Sequence, residues 1–219
     1  MATYGRNKVE ELLEQGRVGL GDALGTPDIL SLLTPYGYGQ AKLQEGQVLF
    51  HALEGQQAAQ LRLYAQQKET TASFQTSWGA ARKIYGRHGK IARAVLSAQP
   101  ERLARLGLEG VRAQTFGPWL AQARQFYREA LADAGLQAVL AEGGLSPAVL
   151  TAGQSIVESA VQADNAKEST KGLAQQSTQD RDAAAAAFQD WLRRFWKIAE
   201  VGLAGQPQWL ERLGRKVRS

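Results

Sequence analysis

An internal repeat of 107 residues is the sequence feature that most constrains how this chain folds. The segment GKIARAVLSAQPERLARLGL begins at Gly89, and the segment WKIAEVGLAGQPQWLERLGR begins at Trp196. Aligned at this offset without a gap, both contain Lys-Ile-Ala and later Gln-Pro-x-x-Leu-x-Arg-Leu-Gly. Weaker matches at the same offset extend through most of the chain. We therefore predict a single domain over residues 1–219, built of two tandem repeats at about 10–108 and 117–215.

The composition indicates that the repeated unit is helical. Ala, Leu, Gln, Arg and Glu are abundant and favour helix, whereas the scarcity of β-branched residues argues against a large sheet. The chain contains no cysteine, which excludes disulfides and thiolate metal sites or nucleophiles. The N-terminal residues MATYGRNKVEELLEQ lack the apolar core of a signal peptide, and no stretch approaches 18 consecutive apolar residues. We expect an all-α, cytoplasmic protein with no membrane span.

Each repeat predicts the same series of helices. An amphipathic helix is expected over 8–24 in the first repeat and over 118–132 in the second. A short helix near 27–33 follows, with Thr26 as its N-cap. Both repeats then contain a turn sequence, TPYGYG or EGGLSP, and a long helical stretch. The segments QPERLARLG and QPQWLERLG each predict a short helix opened by proline and closed by glycine.

The long helical stretches, about 40–97 and 147–204, are either continuous helices or hairpins of two helices. The apolar pattern thins at Gln66–Thr71 and Lys171–Thr178, where Thr70 or Ser177 could cap a second helix. Ordinary helices are far shorter than about 58 residues, so we predict hairpins. The expected fold is then an internally duplicated helical bundle of two pseudo-two-fold-related helical hairpins, with short closing helices at one end.

Apolar residues in the second half of each stretch recur at alternating spacings of four and three residues, which predicts a buried helix face. We expect these faces to meet in one shared core. Glycine occurs at both matched positions, 46 and 153, although each costs about 1 kcal/mol of helix propensity relative to alanine. Glycine at both positions predicts that another helix approaches closely there. The predicted buried residues are Phe74, Trp78, Ala81, Tyr85, His88, Ala92 and Val95 with Ala185, Phe188, Leu192, Phe195, Ala199 and Gly202.

No motif in the sequence predicts a reaction. His88 falls on the apolar face and is expected in the core. His51 has Glu54 one turn away, but no Glu-x-x-His pair accompanies it, which argues against a di-iron site. The segment GRHGK lacks the spacing of a phosphate loop, and GQSIVES lacks that of a nucleophile elbow. We therefore predict no catalytic residue, metal ligand or cofactor, and we assign no enzymatic activity.

Charge is distributed unevenly along the chain, which has a net charge of +5. Residues 82–112 contain eight basic and two acidic side chains, and residues 191–219 contain seven basic and two acidic ones. A basic surface of this kind is what binding to a phosphate backbone requires, although cations near helix ends also favour the helix dipole and solubility. The candidate contacts for a polyanion or a partner are Arg82, Lys83, Arg87, Lys90, Arg193, Arg194, Lys197, Trp209, Arg212, Arg215 and Lys216.

Three function classes are compatible with these observations, the least favoured being a pocket-forming ligand binder or an unrecognised enzyme. A duplicated bundle without catalytic residues favours a non-catalytic assembly, scaffold or protein-interaction protein, whose partner is another copy of the chain or another protein. Trp209 supports this interpretation, because it replaces the charged Arg102 of the first repeat and would contribute to self-association or to binding an acidic partner. The alternative is a nucleic-acid-associated protein that uses the basic segments 82–112 and 191–219.

Overall fold

The computed structural model describes residues 4–215, and all of the secondary structure in this range is helical. The first half of the chain contains α1 (Arg6–Gly25), α2 (Pro27–Leu33), α3 (Gln40–Val95) and α4 (Pro100–Arg105), with a 3₁₀ turn at Thr34–Tyr36 after α2. The second half contains α5 (Phe116–Ala132), α6 (Ala134–Glu142), α7 (Pro147–Gly202) and α8 (Pro207–Arg212). The all-α prediction is confirmed for the described residues.

The bounds of two pairs of helices are related by the 107-residue offset. Helices α3 and α7 each contain 56 residues, and both bounds of α7 lie 107 residues after those of α3. The same offset relates α4 to α8. Both short helices begin at proline and are followed by a glycine with positive φ, 66° at Gly107 and 84° at Gly214, as the sequence predicts.

The predicted hairpins over 40–97 and 147–204 are wrong, because each stretch is a single α-helix. The Thr70 hydroxyl donates a hydrogen bond to the carbonyl of Gln66 at 3.1 Å, and the Ser177 hydroxyl donates to the carbonyl of Ala174 at 3.0 Å. Hydroxyls that bond back to the preceding turn are typical of helix interiors. Thr70 and Ser177 therefore lie within continuous helices and do not cap new ones.

The described chain divides into two compact units, each with its own core. Unit 1 contains residues 4–65 and 172–215, and unit 2 contains Gln66–Lys171. Each unit thus combines the N-terminal part of one long helix with the C-terminal part of the other. The thinning of the apolar pattern coincides with the unit boundaries, because the buried apolar residues of α3 end at Leu53 in unit 1 and resume at Phe74 in unit 2.

The predicted buried helix faces are found, but they do not share one core. Phe188, Leu192 and Phe195 belong to the core of unit 1, and Tyr85 belongs to that of unit 2. His88 is buried as expected, whereas Trp78 is only half-buried at the margin of the second core. Val95 and Gly202, also predicted to be buried, are half-buried. The period of the pattern identified the inward faces, but it carried no information about which helices meet.

Candidate anion-binding cleft

Four of the predicted contact residues lie on the exposed face of α3 in unit 2. Arg82, Lys83, Arg87 and Lys90 are all exposed, whereas Ala81, Tyr85, His88 and Ala92 are buried. At 100° per residue the four cations fall within a 140° arc that faces away from these buried residues. Because the apolar face of α3 is buried, the four charges lie together on the opposite, exposed face.

A fifth cation, Arg112, is brought to the same place by the segment that links α4 to α5. The side chain of Gln122 on α5 holds this segment, since its Oε1 accepts a hydrogen bond from the Ala113 amide at 3.0 Å. The Arg112 guanidinium carbon lies 5.4 Å from the centroid of the Tyr85 ring. A Cβ at position 86 would lie 2.9 Å from Arg112 Nη1, so the end of this arginine lies close over Gly86.

Together these residues line a cleft of about 450 Å³ in unit 2. None of the residues that line it is acidic, and no ion pair within residues 4–215 involves any of its five cations. Concave sites of about 300–1,000 Å³ are the usual size for binding a small molecule or one segment of a larger one. The lining residues are Arg82, Lys83, Gly86, Arg87, Lys90, Ile91 and Arg112.

The absence of neutralising partners at this cleft contrasts with other helices of the chain. Arg6 pairs with Glu10 at 2.8 Å, and Arg17 pairs with Glu14 at 2.6 Å, each within one helical turn. In the cleft, by contrast, Lys83 and Arg87 are four residues apart and carry the same sign. Like charges at this spacing destabilise a helix by about 0.2–0.5 kcal/mol. The cleft thus concentrates positive charge at a small cost in helix stability, and an anionic ligand would relieve this repulsion.

The remaining three cations of segment 82–112 have other surroundings. Arg93 donates to the Leu108 carbonyl at 2.8 Å, and Arg105 pairs with Glu129 at 3.0 Å and with Asp133 at 2.8 Å. Arg102 is half-buried. The hydrogen bonds from Arg105 lower the pKa of Glu129 and contribute to lowering that of Asp133, so these carboxylates remain charged and neutralise Arg105. The charge available to a ligand is therefore concentrated in the cleft.

The described contacts predicted in the second basic segment lie in unit 1, where three of their five cations are neutralised. Arg193 pairs with Asp190 at 3.2 Å, Arg212 with Asp22 at 3.4 Å and Arg215 with Glu200 at 2.6 Å. These ion pairs neutralise three cations that a count of charges along the sequence treats as free. Arg194 and Lys197 have no ion pair within residues 4–215. The predicted contact Lys216 lies outside the described residues.

Trp209 packs against the core of unit 1 and is half-buried. Its indole nitrogen donates a hydrogen bond to Gln206 Oε1, and the Arg212 guanidinium lies 5.7 Å from its ring centroid. Much of the ring is therefore occupied by contacts within its own unit. The predicted role of Trp209 in self-association stays a prediction.

The two histidines are separate and have different environments. His88 is buried, and its Nδ1 lies 3.1 Å from the hydroxyl of Tyr127. Burial lowers the pKa of His88, with a smaller contribution from Arg87, and burial raises the pKa of the Tyr127 phenol. A neutral imidazole beside a protonated phenol is a satisfied core pair. His51 is exposed and lies 3.3 Å from Glu54, and within residues 4–215 no three His, Asp or Glu side chains group closely enough to hold a metal ion.

Arg112 is the one cation lining the cleft that is not among the predicted contacts. It counts among the basic residues of segment 82–112, but it follows a break in the helical pattern and has no periodic relation to α3. The signal that could have indicated it is Gly86. This glycine lies in a long helix between Lys83 and Arg87, and its loss of helix propensity is a weak signal of a close neighbour, since Gly55 in the same helix has no atom within 4 Å of a built Cβ.

The described residues contain no helix with both the length and the apolar character needed to cross a membrane. Comparison of the chain with models of protein families, with curated proteins and with solved structures found no match.

Proposed function

We propose that this protein binds a polyanion, and that the cleft of unit 2 contacts the phosphate backbone of nucleic acid. The observation that carries the proposal is the convergence of five cations on one cleft that contains no acidic residue. A phosphate backbone supplies closely spaced negative charges, and binding it releases counterions, which provides most of the affinity of non-specific complexes. The proposal favours the nucleic-acid alternative over a general scaffold, since the structure offers a concave charged site for the former.

Internal duplication of the chain is part of this proposal. It is supported by the equal lengths of α3 and α7 and by the 107-residue offset of their bounds. It is also supported by the make-up of the two units, since each combines the N-terminal part of one long helix with the C-terminal part of the other. We infer that the repeats at about 10–108 and 117–215 are two copies of one series of helices, related by an approximate two-fold axis. Under this register Arg87 corresponds to Arg194 and Lys90 to Lys197, whereas Lys83 corresponds to Asp190. The repeats have therefore diverged in charge, and one of them has become the anion-binding copy.

The register supplies a matched pair of variants with which to test the polyanion proposal. Arg87→Gln/Lys90→Gln and Arg194→Gln/Lys197→Gln remove the same charge from corresponding positions of the two repeats. We expect the first variant to bind a short labelled DNA of mixed sequence at least tenfold more weakly than the unsubstituted protein. We expect the second to bind nearly as tightly, because its cations do not line the cleft.

The salt dependence of binding provides the second readout. Each phosphate contact contributes about 0.7–0.9 to the slope of log K against log salt, so the first variant should lose between one and two units of slope. Fluorescence anisotropy between about 50 and about 200 mM salt measures both quantities. Equal losses in the two variants would show that net charge alone attracts DNA. Unchanged binding in the first variant would exclude the cleft.

A further inference from the structure

Two of the five cations in the cleft differ from the other three in how they are held. The Arg82 guanidinium carbon lies 5.2 Å from the ring centroid of Trp78, and that of Arg112 lies 5.4 Å from the ring centroid of Tyr85. Arg82 Nη2 also donates a hydrogen bond to Gln114 Oε1 at 3.1 Å. Both guanidinium groups therefore rest on aromatic rings, and both line the cleft.

The other three cations are not anchored in this way. Lys83, Arg87 and Lys90 are exposed, and no ring or carboxylate within residues 4–215 holds their charged ends. Long unanchored cations adapt to the irregular spacing of phosphates, whereas an anchored guanidinium offers a fixed planar surface. The cleft thus combines two different kinds of binding group.

We propose that the cleft binds single-stranded nucleic acid, with bases stacking on Arg82 and Arg112 and phosphates contacting Lys83, Arg87 and Lys90. This inference rests on the proposed function and specifies its ligand. Unpaired bases stack on arginine planes and aromatic rings, whereas the bases of a duplex are already stacked inside the helix. The concave form of the site agrees with this choice, since a single strand can enter a cleft of about 450 Å³ and the body of a duplex cannot.

Substitutions that retain charge distinguish stacking from simple attraction. Arg82→Lys and Arg112→Lys keep the positive charge but remove the planar group. Because base stacking on such platforms is substantial, we expect each variant to bind a single-stranded oligonucleotide about fivefold or more weakly. Binding to a duplex of the same sequence and to heparin should change less than twofold. Arg212→Lys is the matched control, because Arg212 also lies over a tryptophan ring, at Trp209 in unit 1, and does not line the cleft.

The unsubstituted protein provides the first comparison, since it should bind the single strand more tightly than the duplex at equal salt. Circular dichroism and thermal melting of each variant establish that it is folded. Equal weakening of single-strand and duplex binding by Arg82→Lys would show that the arginine acts only as a charge, which overturns the single-strand proposal and leaves the polyanion proposal intact. Failure of the unsubstituted protein to bind any of the three polyanions would overturn both.

Discussion

At the scale of single residues, two glycines show how a sequence coincidence reports a packing constraint. Gly46 in α3 lies against the ring of Trp191, and Gly153 in α7 lies against Tyr127 and His88. A Cβ at position 153 would lie 2.5 Å from Tyr127 Oη, closer than real Cβ contacts allow. Side chains therefore approach both positions closely, and the predicted close approach of another helix stays a prediction. The approaching groups are aromatic side chains, which a glycine alone does not specify.

Alanine substitutions within one helix should separate packing from helix propensity. Gly46→Ala places a Cβ against three ring carbons of Trp191, so we expect it to lower the free energy of unfolding by about 1–3 kcal/mol. Gly55→Ala, also in α3 and unit 1, meets no atom within 4 Å and should raise it by about 0.5–1 kcal/mol. Urea denaturation monitored by circular dichroism measures both. Two shifts of the same sign would contradict the packing described at Gly46.

At the scale of helices, local patterns predicted the starts and ends of elements well. Proline at the starts of α4 and α8 and positive-φ glycine after them are local signals, and both were found where expected. The continuity of α3 was not predictable in the same way. A gap in the apolar pattern arises at a turn, but it also arises where a helix leaves one core and enters the next. The interval between Leu53 and Phe74 is of the second kind.

The same limit explains how much of the cleft could be predicted. Arg82, Lys83, Arg87 and Lys90 follow from helical periodicity, because the seam on one side of α3 determines which residues lie on the other. Arg112 depends on how a linker folds back over Gly86, which is a tertiary contact. The ion pairs that neutralise Arg212 and Arg215 are also tertiary, so counting charges along the sequence overestimated the second basic segment.

Thr70→Ala tests the continuity of α3. In a helix interior alanine is at least as favourable as threonine, so we expect unfolding free energy to be unchanged or to rise by up to about 0.7 kcal/mol. As an N-cap, Thr70 would instead contribute about 1 kcal/mol that alanine loses. Asp133→Ala is the positive control, because Asp133 caps α6 by accepting a hydrogen bond from the Leu136 amide at 2.9 Å. Equal losses from the two substitutions in urea denaturation would restore the hairpin interpretation.

At the scale of the whole molecule, the two units have separate cores and differ in the charge of their exposed residues. The core of unit 1 and the core of unit 2 have no buried residue in common. Near the seam of α7 in unit 1, Asp190 neutralises Arg193, whereas the corresponding stretch of α3 in unit 2 has no carboxylate in its cleft. Under the proposed duplication, the corresponding helices are the common framework, and divergence of a few exposed residues accounts for the difference in charge between the two copies. Because exposed residues contribute little to packing, this divergence leaves the cores unaffected.

Separate cores imply that a cavity in one unit should loosen that unit first. Phe195 in unit 1 and Phe126 in unit 2 are both fully buried, and each belongs to the core cluster of its own unit. Phe195→Ala should cost about 3–5 kcal/mol and increase amide hydrogen exchange in unit 1, at α1 and α2, more than at α5 and α6. Phe126→Ala should give the reverse pattern at similar cost. Native-state hydrogen exchange with mass spectrometry resolves these helices, and an equal loss of protection throughout the chain after either substitution would mean that the two cores open as a single cooperative unit.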